Sequence, residues 1–155
     1  MIRRAKEQDT ERICYLYRQI QAENASVRSD IFRSDVEIVP DRILRQLLSV
    51  DQPQILVWED GDGTVQGYIN YDIRETRGSS LLTDRKTFYI GDFCVEHDHR
   101  GQGIGTALYR YAQDLAKRLG CHSISLNIWH TNLDSVDFYI KMGMEPLKTT
   151  MEQTL

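Results

Sequence analysis

The residues Asp98 to Leu108, DHRGQGIGTAL, carry glycines at 101, 103 and 105 and then run into an apolar pattern of helical period. A glycine-rich turn that opens a helix is suited to an anion, because the first helical turn leaves backbone N–H groups unpaired. Three phosphate ligands compete for such a turn. A dinucleotide fingerprint needs G-x-G-x-x-G, with an acidic residue about twenty positions on. Here the third glycine comes one residue too early, and GCHSISLN downstream offers no carboxylate. A triphosphate loop needs a lysine directly after its last glycine, and none of these glycines is followed by one. A plain backbone cradle remains. Gly101, Gly103 and Gly105 let the chain approach an anion, the helix from about Gly103 adds its positive end, and Arg100 adds a charge at the rim. An ordinary glycine-containing loop before a helix fits the same spacing.

Other reactive side chains are sparse. Cys94, His97 and His99 have metal-like spacing, but no second C-x-x-C or H-x-x-x-H completes a zinc set, so no metal is expected. Cys14, Cys94 and Cys121 form no C-x-x-C pair and fit a reduced compartment. Asp60 and Asp62 lie in EDGDG, a turn sequence too short for a calcium loop.

The elements that must position these residues follow from periodicity. Ile2–Ala5 reads as an edge strand. Asp9 or Thr10 caps a helix whose face is Ile13, Leu16, Tyr17 and Ile20, and a second helix after Pro40 presents Ile43, Leu44, Leu47 and Leu48. The stretch between them is polar and reads as a loop. QILVWEDGDGTVQGYINYDIRE is a hairpin, and 86–95 (KTFYIGDFCV) a buried strand. The next helix shows Leu108, Tyr111, Leu115 and Leu119 and ends at Gly120. HSISLNI is a strand, Asn132 caps a helix through Lys141, and MEPLKTTMEQTL supplies one or two closing strands. The order β-α-α-β-β-β-α-β-α-β implies an α/β fold, a mixed sheet with helices on both faces.

Composition bounds the function. The chain has 155 residues, with 19 basic and 23 acidic side chains and a net charge of −4. That length suits one domain, here residues 1–155, and the acidic balance argues against nucleic acid as a partner. No segment approaches the ~20 apolar residues of a membrane helix, and MIRRAKEQDTER lacks the apolar run of a signal peptide. A soluble, cytoplasmic protein without membrane partners is the expectation.

Three segments carry a family resemblance. VEHDHRGQGIGTAL resembles the acetyl-CoA-binding signature of the GNAT family of N-acetyltransferases, an Arg or Gln, two residues, Gly, one residue, then Gly or Ala. Arg100, Gly103 and Gly105 fill those positions. NLDSVDFYIKMGM is similar to the family's asparagine-to-Phe-Tyr-to-glycine segment, with Ser135 for Ala and Met144 for Phe, and IRRAKEQD looks like its first strand and turn. The resemblance spans essentially the whole chain.

It implies a mostly antiparallel sheet in which strands four and five splay apart, with the pantetheine arm of acetyl-CoA in the gap, held by backbone groups of Phe93 and Val95. A Val95-region N–H would polarise the thioester carbonyl. The pyrophosphate would rest on N–H groups from Gln102 through Ile104 and Gly105 to Thr106, beside Gly101, and Asn132 matches a position that contacts the cofactor arm. Tyr139 matches the general acid that protonates the departing thiolate. The general base is open between Asp92, Glu96 and a water relay; a glutamate used by polyamine-acetylating relatives would fall on Gly91. The implied reaction is acetyl transfer to a primary amine by direct attack in a ternary complex. The rival is a coenzyme A-binding module without catalysis. The acceptor is a small molecule, antibiotic, polyamine or protein N-terminus, entering over the first two helices and the loop from Val27 to Val39, where Arg28 and Arg33 either recognise an acidic group or are solvated as exposed loop arginines commonly are. Family members often form homodimers.

Overall fold

The hairpin is built by its turn. Asp60 Oδ1 accepts the N–H groups of Asp62 (3.0 Å) and Thr64 (2.9 Å), and Gly63 takes a left-handed φ of 84°. Asp60 thus serves as a turn-former. The computed structural model describes residues 1–33 and 41–155, without the side chains of 41–43. Within it, β1 (Ile2–Arg4), β2 (Ile55–Glu59), β3 (Val65–Thr76), β4 (Arg85–Val95) and β5 (Ser123–Leu126) form one sheet in sequence order. Neighbours are antiparallel except β4 and β5, which are parallel. Four helices accompany it: α1 (Thr10–Val27), α2 (Asp41–Leu48), α3 (Ile104–Arg118) and α4 (Leu133–Lys141).

Period-two alternation sorts the strands into two cores. Ile55, Val57 and Tyr68 join Ile13, Cys14, Leu16, Leu44 and Leu48 under α1 and α2. Leu56, Ile69, Tyr71, Phe88 and Ile90 join Leu108, Tyr109 and Ala112 under α3, with Phe138 and Tyr139 of α4 packed on that side. Of the helix stripes read from the sequence, Ile13, Leu16, Leu44, Leu48, Leu108 and Leu115 are buried, Tyr17, Ile20, Tyr111 and Leu119 are partly buried and Leu47 is exposed, and Asp9 begins α1. Its carboxylate, however, turns back to the Lys6 N–H (2.7 Å) and to Arg3, so it closes a preceding 3-10 turn and makes no side-chain cap of α1.

Strand β4 breaks the alternation. Phe88 and Ile90 face α3, yet Cys94 belongs to the α1 core. Pairing explains it: Tyr71 opposes Ile90 and Asn70 opposes Asp92, leaving Gly91 as an extra, unopposed residue. This β-bulge bends the strand and moves Asp92 and Cys94 to one face, Phe93 and Val95 to the other.

The closing strands expected at the C-terminus do not form. Residues 144–155 carry no strand, and Leu147, Met151 and Leu155 are exposed. The segment EPLKTTMEQTL lacks a continuous period-two apolar face, so nothing repays pairing it with the sheet. The loop expected before Pro40 lies partly outside the described residues, as does the Ile43 side chain.

Candidate active site

The Glu96 N–H donates to the Gln66 carbonyl on β3 at 2.8 Å. In an antiparallel ladder alternate residues turn their polar groups to opposite edges. With Asp92, Cys94 and Glu96 bonded toward β3, Phe93 and Val95 present theirs to the β5 side. The parallel pairing with β5 runs only from Thr87–Ser123 to Ile90–Leu126 and stops at the bulge. Beyond it the two strands part, and the edge is open at Phe93 and at the Val95 N–H, while the Val95 carbonyl is engaged. Gln19 Nε2 (3.1 Å) and Arg100 Nε (3.2 Å) donate to the Val95 carbonyl.

The glycine turn lies at the end of this gap. Gly101 and Gly103 have φ of 75° and 85°, which an L side chain rarely adopts, and Gly103 is the N-cap of α3. The Ala107 N–H closes onto the Gly103 carbonyl at 2.9 Å, so the N–H groups of Ile104, Gly105 and Thr106 precede the first intrahelical bond. Together with Gln102 they form an exposed backbone nest with the positive end of α3 behind it, suited to a pyrophosphate. Gly105 is different. A Cβ there meets the Phe138 ring at 3.6 Å and Val95 Cγ2 at 3.7 Å, ordinary contact in ordinary helical backbone. Arg100 is engaged elsewhere: its Nη2 bonds Glu23 Oε1 on α1 at 2.6 Å, tying α1 to the turn.

Asn132 caps α4, its Oδ1 accepting from Ser135 N at 3.3 Å. The helix carries Tyr139 to the open edge, where its ring centroid lies 6.2 Å from those of Phe93 and Tyr109 and 5.2 Å from that of Phe138. Burial pushes the Tyr139 phenol above its ordinary pKa, so it stays protonated at neutral pH.

On the opposite face a cavity of about 780 Å³ opens between α1, α2 and the sheet, and Asp92 lines it. Burial raises the Asp92 pKa, while a hydrogen bond from Asn70 Nδ2 at 3.2 Å lowers it; burial is the larger effect. Tyr17, in the same wall, is raised by burial and then by the Asp92 charge. Glu96, the other candidate base, is engaged elsewhere: it is buried, bonded to Arg12 Nη2 at 2.5 Å and accepts from the His97 N–H at 3.1 Å. The Cys94 thiol is pushed up to about 12 by burial, with Sγ turned to the Leu16 carbonyl at 3.4 Å. Such a thiol is a poor nucleophile. Arg28 bonds Asp30 and Glu152 and lies over the Trp129 ring, so it does not stand ready for an acceptor. Among the described residues no three His, Cys, Asp or Glu side chains converge on a metal-sized point, and no helix is long and apolar enough to cross a membrane.

The structure therefore gathers Phe93, Val95, the 101–106 turn and Tyr139 around one gap, with Asp92 beneath it. It adds three residues that sequence reading passed over: Tyr68, Asn70 and Asp72, all lining the cavity. Their signal was present, since polar residues at 68, 70 and 72 alternate with Ile69, Tyr71 and Ile73 along β3.

Comparison with known proteins agrees with this geometry. The Acetyltransferase (GNAT) family model matches residues 22–144. YwnH of Bacillus subtilis (strain 168), whose name gives it a provisional phosphinothricin acetyltransferase assignment, is 26% identical over 144 residues, covering 92% of this chain and 82% of that protein. Bovine (Bos taurus) thialysine N-epsilon-acetyltransferase is 29% identical over 62 residues, 40% of this chain and only 36% of the relative. A crystallised mutant of the BH1408 protein from Bacillus halodurans superposes with a TM-score of 0.93 at 29% identity, covering 100% of this chain and 99% of the other. With the splayed strands and the glycine turn already in place, the chain belongs to the Acetyltransferase (GNAT) family and is an acetyltransferase.

Proposed function

We propose that residues 1–155 act as one domain that moves an acetyl group from acetyl-CoA to a primary amine by direct attack in a ternary complex. The observation that carries this reading is the open β4 edge, with Asp92 on one face of the sheet and Tyr139 on the other. The Phe93 backbone and the Val95 N–H hold the pantetheine arm and its thioester, and the Gln102–Thr106 N–H groups hold the pyrophosphate. Asn132 contributes at the cofactor arm while it caps α4. Arg100 fixes the turn to α1 through Glu23.

Asp92 takes the proton of the incoming ammonium, to which burial makes it more basic than an exposed carboxylate. The amine nitrogen then forms the C–N bond as the C–S bond breaks, Tyr139 gives its proton to the departing thiolate, and the proton lost by the new amide nitrogen returns the phenol to its neutral form by way of solvent. The Val95 N–H stabilises the charge on the thioester oxygen. A covalent acetyl-enzyme through Cys94 is disfavoured by its buried, protonated thiol. The test is thiol release from acetyl-CoA with a panel of amines, amino acids and peptides, and intact-mass analysis of the quenched protein. Thiol release with no acetylated protein supports the reading. Tight coenzyme A binding without thiol release from any acceptor supports a binding module instead.

A further inference from the structure

The cavity under α1 and α2 has an unusual floor. Tyr68, Asn70 and Asp72 occupy alternate positions of β3, and Asp92 of β4 lies directly opposite Asn70. Asp92 and Asp72 are thus diagonal neighbours on one face, which places them about 7–8 Å apart. Neither carboxylate pairs with a cation among the described residues; Asp92 is bonded by the Asn70 amide, and the Gln54 side-chain amide lies 3.1 Å from Asp72 Oδ1. On the other side of Asn70 from Asp72, and so next to Asp92, stands Tyr68, only 2% exposed, whose hydroxyl is buried without a hydrogen-bond partner among the described residues. An orphaned buried hydroxyl carries a desolvation cost that a ligand group would relieve. The walls are apolar: Ile13, Leu44 and Leu47 line the same space. Negative charge at two points, an unpaired hydroxyl and a greasy wall define a complementary molecule.

We propose that the cavity is a diamine site, taking a linear aliphatic diamine with its reacting ammonium at Asp92 and its second ammonium at Asp72. A four- or five-carbon spacer separates the two nitrogens by about 6–8 Å, given C–C bonds of about 1.5 Å. The Tyr68 hydroxyl accepts an N–H of the reacting ammonium, and the methylenes lie against the apolar wall. The inference rests on the acetyl-transfer reading above. One ammonium proton passes to Asp92, the nitrogen lone pair forms the C–N bond while the C–S bond breaks, the thiolate takes a proton from Tyr139, and the protonated amide nitrogen gives up its second proton, which restores the Tyr139 phenol by way of solvent. The product is a monoacetylated diamine with one charge left, at Asp72. Its loss of charge at Asp92 favours release.

Binding and turnover separate the two readings. With coenzyme A present, calorimetry compares four- and five-carbon diamines with monoamines of equal length, on wild type, Asp72→Asn and Asp72→Lys. The diamines bind wild type about fivefold or more tightly than the monoamines, as a partly shielded ion pair warrants. The advantage shrinks toward one in Asp72→Asn and reverses in Asp72→Lys, with melting curves confirming that both variants fold. Equal binding of diamine and monoamine to wild type, or an advantage that survives Asp72→Lys, overturns the inference. Diamine preference without thiol release from acetyl-CoA leaves the site standing and overturns the transfer reading.

Discussion

Replacing Gly103 with alanine tests the anion nest, provided its strain is subtracted. Gly103 and Gly120 both take left-handed backbone, with φ of 85° and 69°, and at neither does an added Cβ meet any atom within 4 Å. The cost of each alanine is therefore conformational alone, about 1–2 kcal/mol for an L residue held there. In a protein of this size about 1 kcal/mol lowers the melting temperature by about 2–4 °C, so the two variants lose similar stability. Their ligand behaviour differs. Gly120 lies beyond the C-terminal end of α3, whereas Gly103 sets the direction of the N–H groups from Gln102 to Thr106. Relaxation of φ at 103 turns those donors away and weakens coenzyme A by about tenfold, or about 1.4 kcal/mol. Differential scanning fluorimetry gives the stability change and isothermal titration the affinity. Equal coenzyme A affinity in the two variants, with equal loss of stability, refutes the nest as the pyrophosphate site.

Tyr139→Phe keeps the aromatic packing against Phe93 and removes the proton donor; turnover falls about a hundredfold with coenzyme A affinity nearly unchanged, and parallel loss of both argues against an acid role. For Asp92 as base, kcat/KM rises with pH in a step above the usual carboxylate range, because burial raises its pKa, and Asp92→Asn abolishes that step. The same shift has a stability consequence. A carboxyl raised on folding stabilises the fold fully below its unfolded pKa, near 3.9, and that contribution disappears as pH rises through the folded value. At neutral pH the ionised Asp92 is a burden, so Asp92→Asn melts higher than wild type there and the gap closes in acid; a pH series of melts checks the sign. Glu96→Gln removes the charge from the buried Arg12 pair and lowers stability by about 1–2 kcal/mol while the activity step with pH persists, which distinguishes a structural carboxylate from the base.

Much of this was readable from the chain because the signals are local. The glycine turn announces itself through residues that must have positive φ, and Asn132 through the helix it starts. The α3 stripe, the hairpin and the α1 face follow from periodicity, which tertiary packing then uses without alteration. What was not readable depends on pairing. Gly91 sits inside an apolar run, and nothing in KTFYIGDFCV states that it opposes no residue on β3; that is settled by where Tyr71 and Asn70 fall in register. The cavity floor is hidden for the same reason, since Asp72 and Asp92 are twenty residues apart in sequence and become neighbours only through the β3–β4 ladder. The C-terminal strands were expected from composition, but KTTMEQT offers neither a sheet face nor a turn to bring it back.

The bulge at Gly91 is the point where fold and chemistry meet. Without the bulge, with Gly91 paired in regular register, the positions after Ile90 would alternate in step with it, and the residue two on, Asp92, would point under α3 with Ile90. With it, Asp92 turns to the cavity while Phe93 and Val95 take the opposite face and open their backbone to the gap. The same bend ends the β4–β5 pairing at Ile90 and Leu126, so one bulge both parts the strands and turns the carboxylate to the cavity. Glycine is not required there by geometry. Its φ is not left-handed, and a Cβ would meet only Asn70, at 3.7 and 3.8 Å. A Cβ at 91 would stand in ordinary contact with Asn70, the residue that holds Asp92, so the bulge depends on the register of the β3–β4 ladder and not on the residue that occupies it.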